Sequence, residues 1–342
     1  MKFISKAPLR LGLAGGGTDV SPYSDIYGGA ILNATIDLYA TVVIIPRDDN
    51  KVVIHARNNG VKMVFEAQER IEEVQDLKLQ IGVYNRIVKE FSKRPLACEI
   101  ISSIDAPTGS GLGTSSTLVV ATIGAFVEWL KLPLGEYDIA QLAVSIERQE
   151  LKMAGGKQDQ YAATFGGVNF MEFHEKNRVV VNPLRIKQEV LRELEYHLLL
   201  FYTQTSRESS RIIETQKENL ERKSEEVINA THRLKEQAYK MKEAILKDEL
   251  HRIGSILHNA WGHKKKLATG ITNATLDEIY KTAIDAGASG GKISGAGGGG
   301  FIMFFCPGNS RYEVIEALKE KESVYQRYCF QKEGLLSWTS EL

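Results

Sequence analysis

Between Pro107 and Ser116 the chain reads Pro-Thr-Gly-Ser-Gly-Leu-Gly-Thr-Ser-Ser, a run of glycines that ends in hydroxyl residues and is followed by the apolar stretch Leu118 to Leu130. Glycine lets a loop come close to a ligand and adopt positive φ, and a helix that starts directly after it points free N–H groups and the positive end of its dipole at one spot. Gly109, Ser110, Gly111, Leu112, Gly113, Thr114, Ser115 and Ser116 are therefore candidates to hold phosphates, with a hydroxyl in reach of a phosphate-bound Mg²⁺. The alternative is a glycine turn before an ordinary Ser/Thr helix cap. No lysine separates Gly113 from Thr114, so the G-x-x-x-x-G-K-[ST] loop of many nucleotide hydrolases is absent.

Two more glycine clusters stand apart from this one. Gly295 to Gly300 formally matches G-x-G-x-x-G, but Phe301-Ile-Met-Phe-Phe305 follows and reads as a strand, whereas a dinucleotide-binding loop needs a helix there. An NAD-dependent oxidoreductase would require that helix. Gly15-Gly16-Gly17-Thr18-Asp19 follows a strand and leaves room for a bulky group beside the Asp19 carboxylate, with a plain turn as the alternative. Asp159 reads as lying in a polar loop after an amphipathic helix, where reactive groups are often placed. Glu147, among Leu142, Val144 and Ile146, is an exposed helix glutamate or else a carboxylate paired or bound to metal. Lys157 stands close enough in sequence to favour the charged form of Asp159.

The elements that must carry these groups form an α+β chain in two lobes. Strands are expected over 3–13, 31–46, 51–56, 61–66 and 97–103, and helices over 78–92, from 114 to 131, and over about 136–153. Strands over 167–173 and 196–203 flank a less regular segment. The charged stretch 206–266 reads as two or three amphipathic helices; helix 273–286, a glycine-rich strand 291–306, helix 311–321 and strand 326–338 complete the chain. The lobes divide into 1–185, which would bind ATP phosphates, and 186–342 with a helical insert.

Taken in order, these motifs resemble the GHMP family of small-molecule kinases. The resemblance rests on Ala7-Pro-Leu-Arg10 running to Gly15-Gly-Gly-Thr-Asp19, on Pro107 to Ser116, and on Lys292-Ile-Ser-Gly-Ala-Gly-Gly-Gly-Gly300. It implies a two-domain GHMP kinase fold, with an N-terminal β-α-β domain like ribosomal protein S5 and a ferredoxin-like C-terminal domain. It also implies ATP and Mg²⁺, with Ser115 and Glu147 at the metal, Asp159 as the catalytic aspartate, Arg10 on that aspartate and the moving phosphoryl, and Asp19 on sugar hydroxyls. Gly15, Gly16, Gly17, Thr18, Gly297 and Gly298 would line the substrate. Galactokinases carry Glu-His where this chain has Gly16-Gly17, which implies a wider pocket. The stretch Leu9 to Tyr23, followed by Gly28-Gly29-Ala-Ile-Leu-Asn33, looks most like the branch that phosphorylates the anomeric hydroxyl of D-glycero-D-manno-heptose 7-phosphate for nucleotide-activated heptose and surface polysaccharide; L-fucokinase domains carry a related form. A non-catalytic sugar-nucleotide sensor would have lost Glu147 or Asp159, and both are present.

A phosphorylated substrate needs a second anion site. Arg207 in Thr205 to Ser210 is the candidate, with a solvated arginine at a capped helix start as the alternative. Lys264-Lys265-Lys266 is a weaker candidate for that site, with a solvated run at a helix end as the alternative, and His258 and His263 read as structural. Composition fits small anionic ligands rather than large ones. The 43 basic side chains balance 43 acidic ones, which argues against nucleic acid or anionic membrane as partner. Cys98, Cys306 and Cys329 contain no C-x-x-C pair and suit a reducing cytoplasm. Lys2, Lys6, Pro8 and Arg10 break up any signal-peptide core. A homodimer is compatible with all of this.

Overall fold

The computed structural model describes residues 1–204, 209–321 and 323–341, and its first lobe is organised on one large sheet. The five early strands form as β1 (Lys2–Ala14), β2 (Gly29–Pro46), β3 (Lys51–Ala56), β4 (Val61–Glu66) and β5 (Cys98–Ile104), with a short helix α1 (Tyr23–Tyr27) before β2. Neighbours in the sheet are antiparallel except β3 and β5, which run parallel with β4 and α2 (Lys78–Ile87) in the crossover. The apolar run after the glycine loop forms α3 (Thr114–Leu130), and Val119, Ile123 and Phe126 of this helix join Val42, Ile44, Ile54 and Ile100 of the sheet in one core. Each such side chain contributes about 1.5–3 kcal/mol by leaving water.

The segment after α3 departs from expectation. The helix expected to reach 153 is regular only as α4 (Glu136–Ser145), then widens into a π-helical turn over Ile146–Glu150 that carries Glu147. Asp159 is not in a loop but in the first turn of α5 (Gln158–Phe165), a helix too short to show its periodicity. The strand expected over 167–173 forms as β6 (Val168–Phe173), and the less regular stretch after it holds β7 (Val179–Pro183), which makes a hairpin with β6, and then α6 (Gln188–His197).

The second lobe has a four-stranded sheet of order β11-β8-β10-β9, from β8 (Leu198–Tyr202), β9 (Gly290–Ile293), β10 (Phe301–Phe305) and β11 (Val324–Gln326). All its pairings are antiparallel. The central strands β8 and β10 are almost wholly apolar because both their faces are covered, whereas β9 carries Lys292 and β11 ends on Gln326. Leu198, Leu200, Phe301, Met303 and Phe305 meet Leu9, Leu11 and Leu13 of β1, while Leu199, Phe201, Ile302 and Phe304 face Trp261 and Ile279 on the far side. The charged stretch resolves into α7 (Ser209–Glu221), α8 (Glu225–Leu246) and α9 (Ile253–Lys264), followed by α10 (Ala274–Asp285) and α11 (Arg311–Lys319).

The single strand expected over 326–338 is two. Val324–Gln326 stays in the second sheet, and β12 (Leu336–Ser340) pairs antiparallel with β1, Lys2 opposite Ser340. The unit 186–342 therefore gives its last strand to the first sheet. Between the two strands, the Gln331 N–H donates to Thr35 O at 2.8 Å, and Gly334 lies so close to Thr164 O that a Cβ would sit 2.1 Å from it.

Candidate active site

The three glycine segments converge on a cleft of about 660 Å³ between the lobes. At its floor the phosphate-type loop is held from behind by its carbonyls. Phe301 N–H donates to Ser110 O at 2.9 Å, the Arg10 guanidinium to Gly111 O at 2.6 Å, and Arg10 N–H to Leu112 O at 3.1 Å. With its carbonyls taken, the loop presents Gly109, Gly111 and Gly113 to the cleft, and α3 starts there on Thr114, Ser115 and Ser116. The first intrahelical bond runs from Thr117 N–H to Gly113 O, so the N–H groups before it have no partner inside the helix and face an anion site. Gly111, at φ 82°, is required by contact as well as by angle, since a Cβ would lie 2.4 Å from Ser294 O. The side chains of Ser110 and Leu112 are buried away from the cleft, so those two residues serve through their backbone.

Arg10 and Asp159 form the central pair. Nε of Arg10 donates to Asp159 Oδ1 at 2.7 Å, and Nη2 lies 2.6 Å from the same oxygen. The charged partner of Asp159 is thus Arg10, the residue that the family resemblance puts there; Lys157, which nearness in sequence suggested, lies 3.5 Å from Asp25. Position in the first turn of α5 favours a carboxylate through the helix dipole. The same helix start holds the second aspartate: Asp19 Oδ2 accepts from the N–H groups of Lys157 and Gln158 at 2.8 and 3.0 Å. This close approach needs Gly156, whose Cβ would sit 1.9 Å from Asp19 Oδ2. Burial raises the Asp19 pKa.

Glu147 is 1% exposed, and burial raises its pKa. Ser116, not Ser115, donates to it, at 3.1 Å, and Gln160 Nε2 donates to both. Gln160 Oε1 is buried without a partner. The desolvated Glu147 carboxylate and the Ser116 hydroxyl both line the cleft and are oxygen ligands of the kind a hard divalent cation takes. Among the described residues no group of three acidic, His or Cys side chains is placed to hold a metal ion.

Other expected substrate residues divide. Gly16 and Gly17 line the cleft. Gly15 and Thr18 instead tie their loop to β2: a Cβ on Gly15 would lie 2.0 Å from Ala30 O, and Thr18 Oγ1 donates to that oxygen at 3.0 Å. Gly297 and Gly298 pack on Ile271, whose carbonyl accepts from Gly298 N–H at 2.8 Å, and do not reach the cleft. Gly300 leads into β10 rather than a helix, so the dinucleotide reading fails. Arg207 lies outside the described residues.

Sequence reasoning ranked Lys264 below Arg207 as an anion-binding candidate and gave Lys292 no role of its own. Lys264 and Lys292 line the cleft, yet are 4% and 3% exposed. Lys264 Nζ donates to Gly295 O and Lys292 Nζ to Gly12 O. Burial, reinforced by Arg10, lowers the Lys264 pKa to about 8, and burial pushes Lys292 well down. The signal for Lys264 was its spacing: it continues the apolar stripe Ile253, Ile256, Leu257, Ala260, Trp261 of α9, whereas Lys265 and Lys266 fall off it. Nor does the absence of side chains at Gly16 and Gly17 leave empty space: their Cβ positions would meet Lys264 Nζ at 3.8 Å and Gln216 Nε2 at 3.0 Å.

Residues 78–167 match the GHMP kinases N terminal domain, and residues 241–323 the GHMP kinases C terminal domain. The chain is 47% identical to the D-glycero-alpha-D-manno-heptose 7-phosphate kinase of Campylobacter jejuni over 98% of both chains. The crystal structure of a D-glycero-D-manno-heptose 1-phosphate kinase from Bacteroides thetaiotaomicron superposes with a TM-score of 0.85 at 42% identity, covering 99% of this chain and all of that one. Lactococcus lactis galactokinase complexed with galactose shares the fold, with a TM-score of 0.78 at 18% identity, over 98% of this chain and 95% of that one.

Proposed function

Because the chain belongs to the GHMP kinase family, we propose that it moves the γ-phosphoryl of ATP to the anomeric C1 hydroxyl of D-glycero-D-manno-heptose 7-phosphate, giving the 1,7-bisphosphate and ADP. It is a sugar kinase, a phosphotransferase that takes an alcohol group of a sugar phosphate as acceptor and ATP as donor. The observation that carries the reading is the Arg10–Asp159 pair, set between the free N–H groups of α3 and the Asp19 loop.

In this reading the N–H groups at 114–116 and the glycine loop hold the ATP phosphates, and the acceptor lies on the Asp19 side. Asp159 accepts the C1 hydroxyl proton as the sugar oxygen bonds to the γ-phosphorus and the bond to the ADP oxygen breaks. Arg10 orients that carboxylate and faces the charge on the phosphoryl. Glu147, with Ser116 and Ser115, would hold Mg²⁺, which when bound neutralises charge on the β- and γ-phosphates. Residues 1–185 with β12 form the ATP-phosphate side, and the second lobe closes the acceptor side. The reaction belongs in the cytoplasm, where ATP is available, as a step toward nucleotide-activated heptose.

The names of the two heptose phosphate kinases place the phosphate differently, at position 7 of a substrate and at position 1, so the hydroxyl that reacts is the point to test. ADP release should be highest with heptose 7-phosphate in a panel that includes the free heptose and L-fucose, and phosphorus NMR of the product should show a new phosphate on C1. Asp159→Asn should lower kcat about a hundredfold or more while the protein stays folded. A product phosphorylated elsewhere, or near-normal turnover of the variant, overturns the reading.

A further inference from the structure

Arg10, Lys264 and Lys292 are buried at the cleft, and its carboxylates Asp19, Glu147 and Asp159 have other partners than the lysines. Asp159 is engaged by Arg10, Asp19 by two backbone N–H groups, and Glu147 by Ser116 and Gln160. An ammonium has three donors, and the contact that Lys264 makes is to a single carbonyl, Gly295 O. Burying a cation on so little is costly unless a ligand supplies the rest.

The surroundings of Lys264 name the kind of ligand. Gly295 lies directly on the phosphate loop, its Cβ position 2.6 Å from Gly111 Cα, while Gly16 of the acceptor loop faces Lys264 Nζ from the other side. The ammonium thus stands where all three glycine segments meet, and it is carried there as the last residue of α9, an end that the helix dipole reserves for a cation. Lys265 and Lys266 do not compete for the place: Lys265 lies over the Trp261 ring and Lys266 near Glu226.

We propose that Lys264 is a phosphoryl-binding residue, the cation that the second lobe contributes to the cleft, and that its free N–H groups hold a phosphate oxygen. Two sources carry that chemistry, the γ-phosphoryl of ATP and the phosphate already on the sugar. The second source rests on the function proposed above; the first does not.

The test compares the wild type with Lys264→Met, which keeps the apolar stem, and Lys264→Arg, which keeps the charge. Calorimetric binding of ATP and of ADP needs no acceptor. If Lys264 holds the γ-phosphoryl, Lys264→Met binds ATP about tenfold or more weakly while ADP binding stays within about threefold, and Lys264→Arg recovers part of the loss. If it holds the sugar's phosphate, ATP and ADP binding are unchanged, and affinity falls about tenfold for heptose 7-phosphate but not for the free heptose. The proposal is overturned if neither difference appears, or if both sugars lose affinity alike, which assigns the ammonium to sugar hydroxyls. Should Lys264→Met not fold, Lys264→Gln and Lys264→Arg carry the same comparison, and equal ATP-to-ADP and sugar-phosphate-to-sugar ratios in all folded proteins overturn it. A wild type that binds ATP but turns over none of the sugars refutes the proposed acceptor while leaving the ATP arm intact.

Discussion

At the scale of single residues, burial decides which charged groups act. Lys264, Lys265 and Lys266 are chemically alike and adjacent, and only Lys264 is turned inward by the stripe of α9. Its neighbours in the cleft are Arg10, Asp19, Asp159 and Lys292. Because burial and Arg10 bring its pKa down from 10.5 to about 8, the ammonium of the free enzyme is lost as pH rises through about 8. For stability the sign is opposite: the charged lysine costs the fold most below that pH, and the cost is relieved as pH rises from about 8 toward 10.5. For activity, kcat/KM for the ligand whose phosphate Lys264 holds, ATP or the sugar phosphate, should fall above about pH 8, and Lys264→Arg, which stays charged, should move or abolish that limb. An identical profile in the variant means that another group is titrating. Arg10, Asp19, Glu147 and Asp159 were legible as candidates in the chain itself. The pairing of Arg10 with Asp159 was implied by the family resemblance alone; nearness in sequence pointed to Lys157, because residues that meet in space need not be close in the chain.

At the scale of elements, the start of α5 does more than its length suggests. Its first turn holds Asp159, and its free N–H groups fix Asp19 from the turn after β1, so one helix end sets the spacing of both aspartates. Gly156→Ala should force them apart, since the added Cβ has Asp19 Oδ2 at 1.9 Å. The expected cost is about 1–3 kcal/mol in urea unfolding, with a raised KM for the sugar and little change in ATP binding. An unchanged sugar KM would show that Asp19 does not serve the acceptor. This helix escaped the sequence reading because eight residues are too few to show a 3.6-residue period. The long amphipathic stretch that became α7, α8 and α9 was plain, since charged and apolar positions alternate there over many turns.

For the whole molecule, the two lobes are joined at more than one place. Leu9, Leu11 and Leu13 of β1 share a core with Leu200 and Met303 of the second sheet, and the far end of the chain returns as β12 to cover the free edge of β1. Deleting residues 336–342 should uncover that edge, lower Tm by roughly 5 °C or more, and increase light scattering on heating. If Tm and scattering do not change, β12 does not protect the sheet. The opening motifs and hydrophobic periods were enough to determine the kinase family, the α+β class and the order of the glycine segments, because those are local patterns with local physical causes. The tertiary structure alone decided which glycines face the cleft, that Ser116 rather than Ser115 touches Glu147, that the last strand belongs to the first sheet, and that two buried lysines complete the site. Contacts between residues distant in the chain depend on how the lobes pack, and no local pattern encodes that packing.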